Sequence, residues 1–310
     1  MPFRTTIPFL LARAYKPIRP HTVMISSQNA YSTGPSNSVP SLVSAQFLLT
    51  HNTGRGPSDL GITILDGSWH MPQSGRDPKK EFLERHIPGA RFFGIDEIKD
   101  HTIDLPHMLP TSEVFSEAIG GLGITNTDHV IIYDTVNTFS ATRVYWTFKQ
   151  AKKYQPTPIN TGILRDYKQI IQNVRARAGM FMIALPALKY VKLELTIYLL
   201  PSFTGADPEP RQGLSSGHMP GSISVPFGEV LDPATGEMLE PDELKRLFKS
   251  KGLDLAEQEI VASCGSGITA SILYLALERA GAKSIAVYDG SWTEYAGKSA
   301  EEGTVIVKDV

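Results

Sequence analysis

Ile260-Val261-Ala262-Ser263-Cys264-Gly265-Ser266-Gly267-Ile268-Thr269-Ala270 is the stretch around which the chain is organised. A short apolar, β-prone segment runs into Cys264, a glycine-rich loop follows, and Ile272, Leu273, Leu275, Ala276 and Leu277 then recur at helical spacing. That order is strand, loop, helix. Cys264, the only cysteine, therefore stands at a helix start, where unpaired backbone N–H groups and the positive end of the helix dipole favour an anion and so a thiolate. Gly265 and Gly267 let the loop curl so that several N–H groups face the sulfur, and Ser266 and Thr269 add hydroxyl donors. The competing reading is a buried structural cysteine, the commoner fate of a lone thiol.

Working outward, the same plan recurs upstream. Val130-Ile131-Ile132-Tyr133-Asp134 matches Ile260-Val261-Ala262-Ser263-Cys264, and His86-Ile87-Pro88-Gly89-Ala90 matches His218-Met219-Pro220-Gly221-Ser222. His86 lies 48 positions before Asp134 and His218 lies 46 before Cys264, so two units share one register. Asp134 takes the cysteine's place in the first unit, which leaves the covalent chemistry to the second. A packed core cysteine would not explain this repeat. Gly61-Ile62-Thr63-Ile64-Leu65-Asp66 reads as a further buried strand, Thr111 as the N-cap of a helix with Val114, Phe115, Ala118, Ile119 and Leu122 on its apolar face, and residues 140–149 as another helix. Strands alternating with helices imply an α/β fold with mostly parallel sheets.

Cys264-Gly265-Ser266-Gly267-Ile268-Thr269-Ala270 resembles the active-site loop of the rhodanese superfamily, and within it that of the 3-mercaptopyruvate sulfurtransferases. The first half is similar to that family in Leu65-Asp66-Gly67-Ser68-Trp69, Pro106-His107-Met108-Leu109-Pro110 and Phe139-Ser140-Ala141-Thr142-Arg143-Val144; the second is similar in Pro208-Glu209-Pro210-Arg211, Val225-Pro226-Phe227 and Tyr288-Asp289-Gly290-Ser291-Trp292. The resemblance implies two rhodanese-like domains, each a mostly parallel sheet flanked by helices, the first inactive and the second catalytic. It implies that sulfur passes from 3-mercaptopyruvate, or less readily from thiosulfate, through a Cys264 persulfide to cyanide or a thiol acceptor such as thioredoxin or glutathione. Gly265, Gly267, Ile268 and Thr269 would hold the anionic sulfur, Ser266 and His86 would relay a proton to the departing enolate, and Arg211 would bind the substrate carboxylate. Thiosulfate-specific relatives tend to carry Arg and Lys after the cysteine, where this chain has Gly265 and Ser266. A phosphatase of the same fold would need an arginine six positions after the cysteine; Ala270 stands there.

The resemblance lapses in the middle. The closing strand, Gly-Gly turn and Trp-bearing helix of the first domain have no match after Phe148. Met180-Phe181-Met182-Ile183-Ala184-Leu185 and the run 190–200 replace an expected strand ending in Asp-Ala-Arg, and Ser202 stands where a second substrate arginine belongs. The expected division is 1–58 transit or disordered, 59–150 a truncated inactive domain, 151–200 an aberrant linker and 201–310 the catalytic domain. A catalytically impaired binding module, or the product of mis-splicing, is the alternative that this lesion keeps open. It also marks 151–202 as the expected point of weakness.

The remaining bounds come from composition. With 310 residues, 41% of them hydrophobic, the chain has room for two domains and their cores. A net charge of −2, with no basic stripe carrying aromatics, points away from nucleic acid, and no apolar run is long enough to span a membrane. One cysteine excludes an intramolecular disulfide and a cysteine-based metal cluster; no metal or cofactor is expected. No Asp or Glu precedes Asp59, whereas Arg4, Arg13, Lys16, Arg19 and Arg55 do, among many Ser and Thr. Such a start has the character of a mitochondrial transit peptide.

Overall fold

The computed structural model describes residues 24–27, 40–51, 61–126, 128–136, 138–150, 161–176, 180–184, 201–301 and 304–309. In chain order the first half contributes β1 (Met24–Ser27), β2 (Leu42–Val43), α1 (Ala45–His51), β3 (Ile62–Asp66), α2 (Pro78–Glu84), β4 (Arg91–Phe92), α3 (Ser112–Gly121), β5 (His129–Tyr133) and α4 (Ala141–Gln150). The second half contributes β6 (Leu164–Arg165), α5 (Tyr167–Ala176), β7 (Met180–Ala184), α6 (Pro201–Thr204), β8 (Ile223–Ser224), α7 (Pro241–Ser250), β9 (Glu259–Ser263), α8 (Ala270–Arg279), β10 (Ser284–Tyr288) and α9 (Ser291–Gly297). Two five-stranded sheets result, in the orders β2-β1-β5-β3-β4 and β6-β10-β9-β7-β8. Thr111 caps α3 through its side-chain oxygen, which accepts the Val114 N–H.

The repeat read in the sequence is visible in these orders. β5 and β9 are the central strands; β3 and β7 flank them on one side, with β4 and β8 beyond, all parallel. On the other side β10 runs parallel to β9, whereas β1 runs antiparallel to β5, with Ile25 opposite Ile132 and Ser27 opposite Val130. Residues upstream of β3 thus occupy the place that a closing strand after α4 would fill. The physical reason is that Val130, Ile131 and Ile132 are wholly buried, and backbone N–H and C=O groups on such a strand need partners on both edges. This moves the expected boundary at 58: residues 24–27 and 40–51 hold sheet and helix, and Val43 and Leu48 join Ile64, Ile131 and Tyr133 in a buried cluster.

A second correction concerns the strand expected to be missing from the second half. Met180–Ala184 forms it, pairing with β9 from Met180 opposite Glu259 to Ala184 opposite Ser263. A strand between two parallel neighbours requires a continuous apolar run, which Met-Phe-Met-Ile-Ala supplies without the Asp-Ala-Arg ending. The run 190–200, considered above for the same place, lies outside the described residues. The two halves share one apolar cluster in which Trp69, Phe93, Val144 and Trp146 meet Ala262, Cys264, Ile268 and Leu273. Helix α4 is tied to α8 where Tyr145 Oη donates to Glu278 at 2.6 Å and Lys149 Nζ pairs with the same carboxylate at 2.9 Å. The Cys264 loop, between β9 and α8, therefore abuts the first half of the chain.

Candidate active site

β9 ends at Ser263, and the chain turns at Cys264 into α8. The start of α9 clamps the turn from behind. Cys264 N–H donates to Ser291 Oγ at 3.2 Å, Trp292 N–H to Cys264 O at 2.9 Å, and Thr293 to Gly265 O through both its N–H (3.0 Å) and its hydroxyl (2.7 Å). Gly267 N–H donates to Cys264 Sγ at 3.1 Å, an electrostatic contact that strengthens when the sulfur is anionic. Gly267 takes φ 84°, a left-handed conformation that glycine adopts without strain. Ile268 is buried, while Ser266 and Thr269 are half-buried. Thr269 occupies the N-cap position of α8 without a side-chain capping bond.

The repeat supplies an internal control. At the equivalent turn, Asp134 accepts backbone N–H bonds from Val136 at 2.9 Å and from Ser140 and Ala141 at 2.8 Å each. Burial pushes its carboxyl up from the ordinary value, opposed by those three bonds. A loop of this shape thus gathers amides around an oxygen acceptor in the first half. The corresponding position in the second half is sulfur.

Arg211 lies over the mouth of the loop: a Cβ on Gly265 would collide with its guanidinium. It also pairs with the buried Glu209 carboxylate at 2.6 Å through Nη1, while remaining 30% exposed. The ion pair and the position over the loop coexist, so the pair orients the fork and the exposed edge is left for an incoming anion. Ser202, half-buried, brings no second cation.

His86 contacts its own turn. Its Nδ1 donates to Phe82 O at 2.7 Å and its ring stacks on Phe82 at 4.2 Å, contacts made within the α2 region. His218 does the same in the second half, donating to Phe203 O at 3.0 Å and stacking on Phe203 at 4.3 Å. Matching bonds at matching turns identify both as fasteners of the turn. The histidine whose backbone is linked to the loop, through Arg143, is His107, to which the sequence reading assigned no role. Its Nδ1 lies 2.7 Å from Asp96 Oδ1, the Trp69 indole donates to Asp96 Oδ2 at 2.8 Å, and the His107 and Trp69 rings meet edge to face at 4.7 Å. Burial alone would raise the Asp96 carboxyl, but the hydrogen bond and charge of His107, followed by the Trp69 bond, hold it below the usual range. The His107 carbonyl accepts from Arg143, whose other terminal nitrogen donates to Gly267 O at 3.3 Å. A signal was available in the repeat: His86 has a counterpart in His218, whereas His107 has none among the matched segments.

A sulfur with an amide aimed at it beneath a cationic fork is an arrangement suited to attack on a small anionic donor. Comparison with known proteins places the chain among sulfurtransferases. The rhodanese-like domain family matches residues 206–298. The 3-mercaptopyruvate sulfurtransferase of Mus musculus is 37% identical over 289 residues, covering 82% of this chain and 91% of the relative. The thiosulfate/3-mercaptopyruvate sulfurtransferase 1, mitochondrial, of Arabidopsis thaliana is 34% identical over 310 residues, covering 88% and 80%. Among solved structures, SseA from Escherichia coli, described as a 3-mercaptopyruvate sulfotransferase of rhodanese fold, superposes with a TM-score of 0.63 at 29% identity, covering 80% of this chain and 97% of that one.

Proposed function

The chain belongs to the family of 3-mercaptopyruvate and thiosulfate sulfurtransferases, enzymes that transfer sulfur, and from that premise we propose that Cys264 carries the sulfur of 3-mercaptopyruvate as a persulfide. The Cys264 thiolate attacks the substrate sulfur; an S–S bond forms, the C–S bond breaks, and its electron pair leaves with the pyruvate enolate. A proton then completes pyruvate. Arg211 receives the carboxylate, and the Gly267 amide supports the negative sulfur, within a loop whose other members are Gly265, Ile268 and Thr269. Ser266 and the His107–Asp96 pair, in place of His86, form the proton route to the enolate. An acceptor thiolate, from thioredoxin, glutathione or a like thiol, attacks the outer sulfur and releases Cys264. The observation that carries this reading is the Gly267 N–H directed at Cys264 Sγ beneath the Arg211 guanidinium.

Mercaptopyruvate is the favoured donor because residues 265 and 266 bring no cation to a dianion, and a single Arg211 fork matches one carboxylate. The expected result is a one-sulfur mass gain on the Cys264 peptide after mercaptopyruvate, with release of pyruvate, and slower turnover of thiosulfate at equal concentration. Faster turnover of thiosulfate would reverse the donor assignment. With Ser202 in place of the second arginine, KM is expected to be high for the family.

In this reading the catalytic unit begins earlier than the expected boundary at 201, since β6 and β7 at Leu164–Arg165 and Met180–Ala184 belong to the sheet that carries Cys264, and the first half serves as its inactive partner. Mitochondrial residence is supported by the acid-free, arginine-bearing start and by the relative named mitochondrial. Because β1 pairs with β5, processing must spare Met24. Import into isolated mitochondria is therefore expected to yield a product starting at or before Met24; one starting beyond Ser27 would contradict this.

A further inference from the structure

We propose that Arg143, on α4 of the first half, is a positioning residue for sulfur transfer: it ties the Cys264 loop to the segment bearing the His107–Asp96 pair, so that nucleophile and proton source share one geometry. The inference rests on the function proposed above and adds a part to it.

The Arg143 side chain is 2% exposed and both terminal nitrogens of its guanidinium are engaged. Nη1 donates to Gly267 O at 3.3 Å, Nη2 donates to His107 O, and Nη2 lies 2.7 Å from Asp289 Oδ1. Asp289 in turn accepts the Leu109 N–H at 2.7 Å through Oδ2, which fastens the residues after His107 to the end of β10. Cζ sits 4.6 Å from the centre of the Trp146 ring, which fixes the remaining face. Three segments distant in sequence therefore converge on one cation.

Gly267 is the informative member. Its N–H donates to Cys264 Sγ while its carbonyl accepts from Arg143, so the guanidinium grips the residue whose amide touches the nucleophile. A Cβ at Gly267 would lie 2.9 Å from both Arg143 Nη1 and Asp289 O, which shows how closely the fork approaches the loop. His107 takes φ 58°, a left-handed conformation costly for a non-glycine residue, and the Arg143 bond to its carbonyl helps hold it there. Lysine could neutralise Asp289 from the same place. It could not span two carbonyls and a carboxylate, because its ammonium is a point charge on a flexible stem.

Arg143→Lys tests this with the full chain. Expected is a kcat for mercaptopyruvate lower by about 10–100-fold, the order that a small misplacement of reacting groups costs, with KM and melting temperature near those of the unaltered chain. The loss is also expected to shrink when Arg143→Lys is made in the Asp96→Asn background, because both changes then disturb one unit; a merely structural role would give independent, additive losses. Should Arg143→Lys not fold, Arg143→Gln, which keeps a side-chain amide donor without the charge, takes its place in the same comparison. A folded variant with unaltered kcat, or fully additive losses, overturns the proposal while leaving the persulfide reading intact. An unaltered chain that gains no sulfur on Cys264 overturns both.

Discussion

Replacing Cys264 with serine is expected to remove sulfur transfer almost entirely, by on the order of 10⁴-fold or more, the scale seen when an enzyme's nucleophile is deleted. The change is nearly isosteric in a site only 5% exposed, so the core around Ala262 and Ile268 should hold and the melting temperature should move little. What disappears is chemical. A hydroxyl is scarcely ionised at neutral pH and cannot form the S–S bond that stores the transferred atom. Release of pyruvate from mercaptopyruvate in the presence of a thiol acceptor is the assay, with circular dichroism to verify folding. Residual turnover above about one per cent would mean that sulfur reaches the acceptor without passing through Cys264, contrary to a nucleophilic mechanism.

The second large effect is expected at His107. His107→Asn should lower kcat for mercaptopyruvate by about 10²–10³-fold, within the range general acid–base groups contribute, and Asp96→Asn by a smaller factor in the same direction. With thiosulfate the loss should be slight, since the departing sulfite is stable as an anion and needs no proton. Comparing the two donors separates proton delivery from simple damage, because a distorted loop would penalise both alike. The pair has a definite pH window. The folded-state Asp96 carboxyl lies below its ordinary value, about 3.9 for a free Asp side chain, so its contribution is present above that value and is lost as pH falls through the depressed one. Asp96 therefore remains ionised at neutral pH, with its carboxylate 2.7 Å from His107 Nδ1. Equal losses with both donors would defeat the relay assignment.

Much of this site was legible along the chain. The strand–loop–helix succession around Cys264 follows from apolar spacing and two glycines, and the α3 cap at Thr111 follows from hydroxyl chemistry. Both are local, decided by residues a few positions apart. Arg211 was readable through a motif, and its pair with Glu209 is local, but its place over Gly265 joins residues 54 positions apart and depends on how the strands order. A histidine in a turn looks the same in sequence whether it serves a proton or a carbonyl; the stacking of His86 on Phe82, duplicated by His218 on Phe203, is visible only in the structure.

What the sequence determined by itself is the part set by local periodicity and by repetition: two α/β units, a cysteine at the strand–helix turn of the second, and an acid in its place in the first. What the tertiary structure decided is which strands complete each sheet and which side chains tie the Cys264 loop to the first half. Met24–Ser27 completes one sheet and Met180–Ala184 the other, because buried central strands demand backbone partners that any suitably extended segment can provide, whatever its place in the chain. His107, Asp96, Arg143 and Asp289 converge for a related reason. A buried cation must find acceptors wherever the packing of two units brings them, and no spacing along a single chain encodes that meeting.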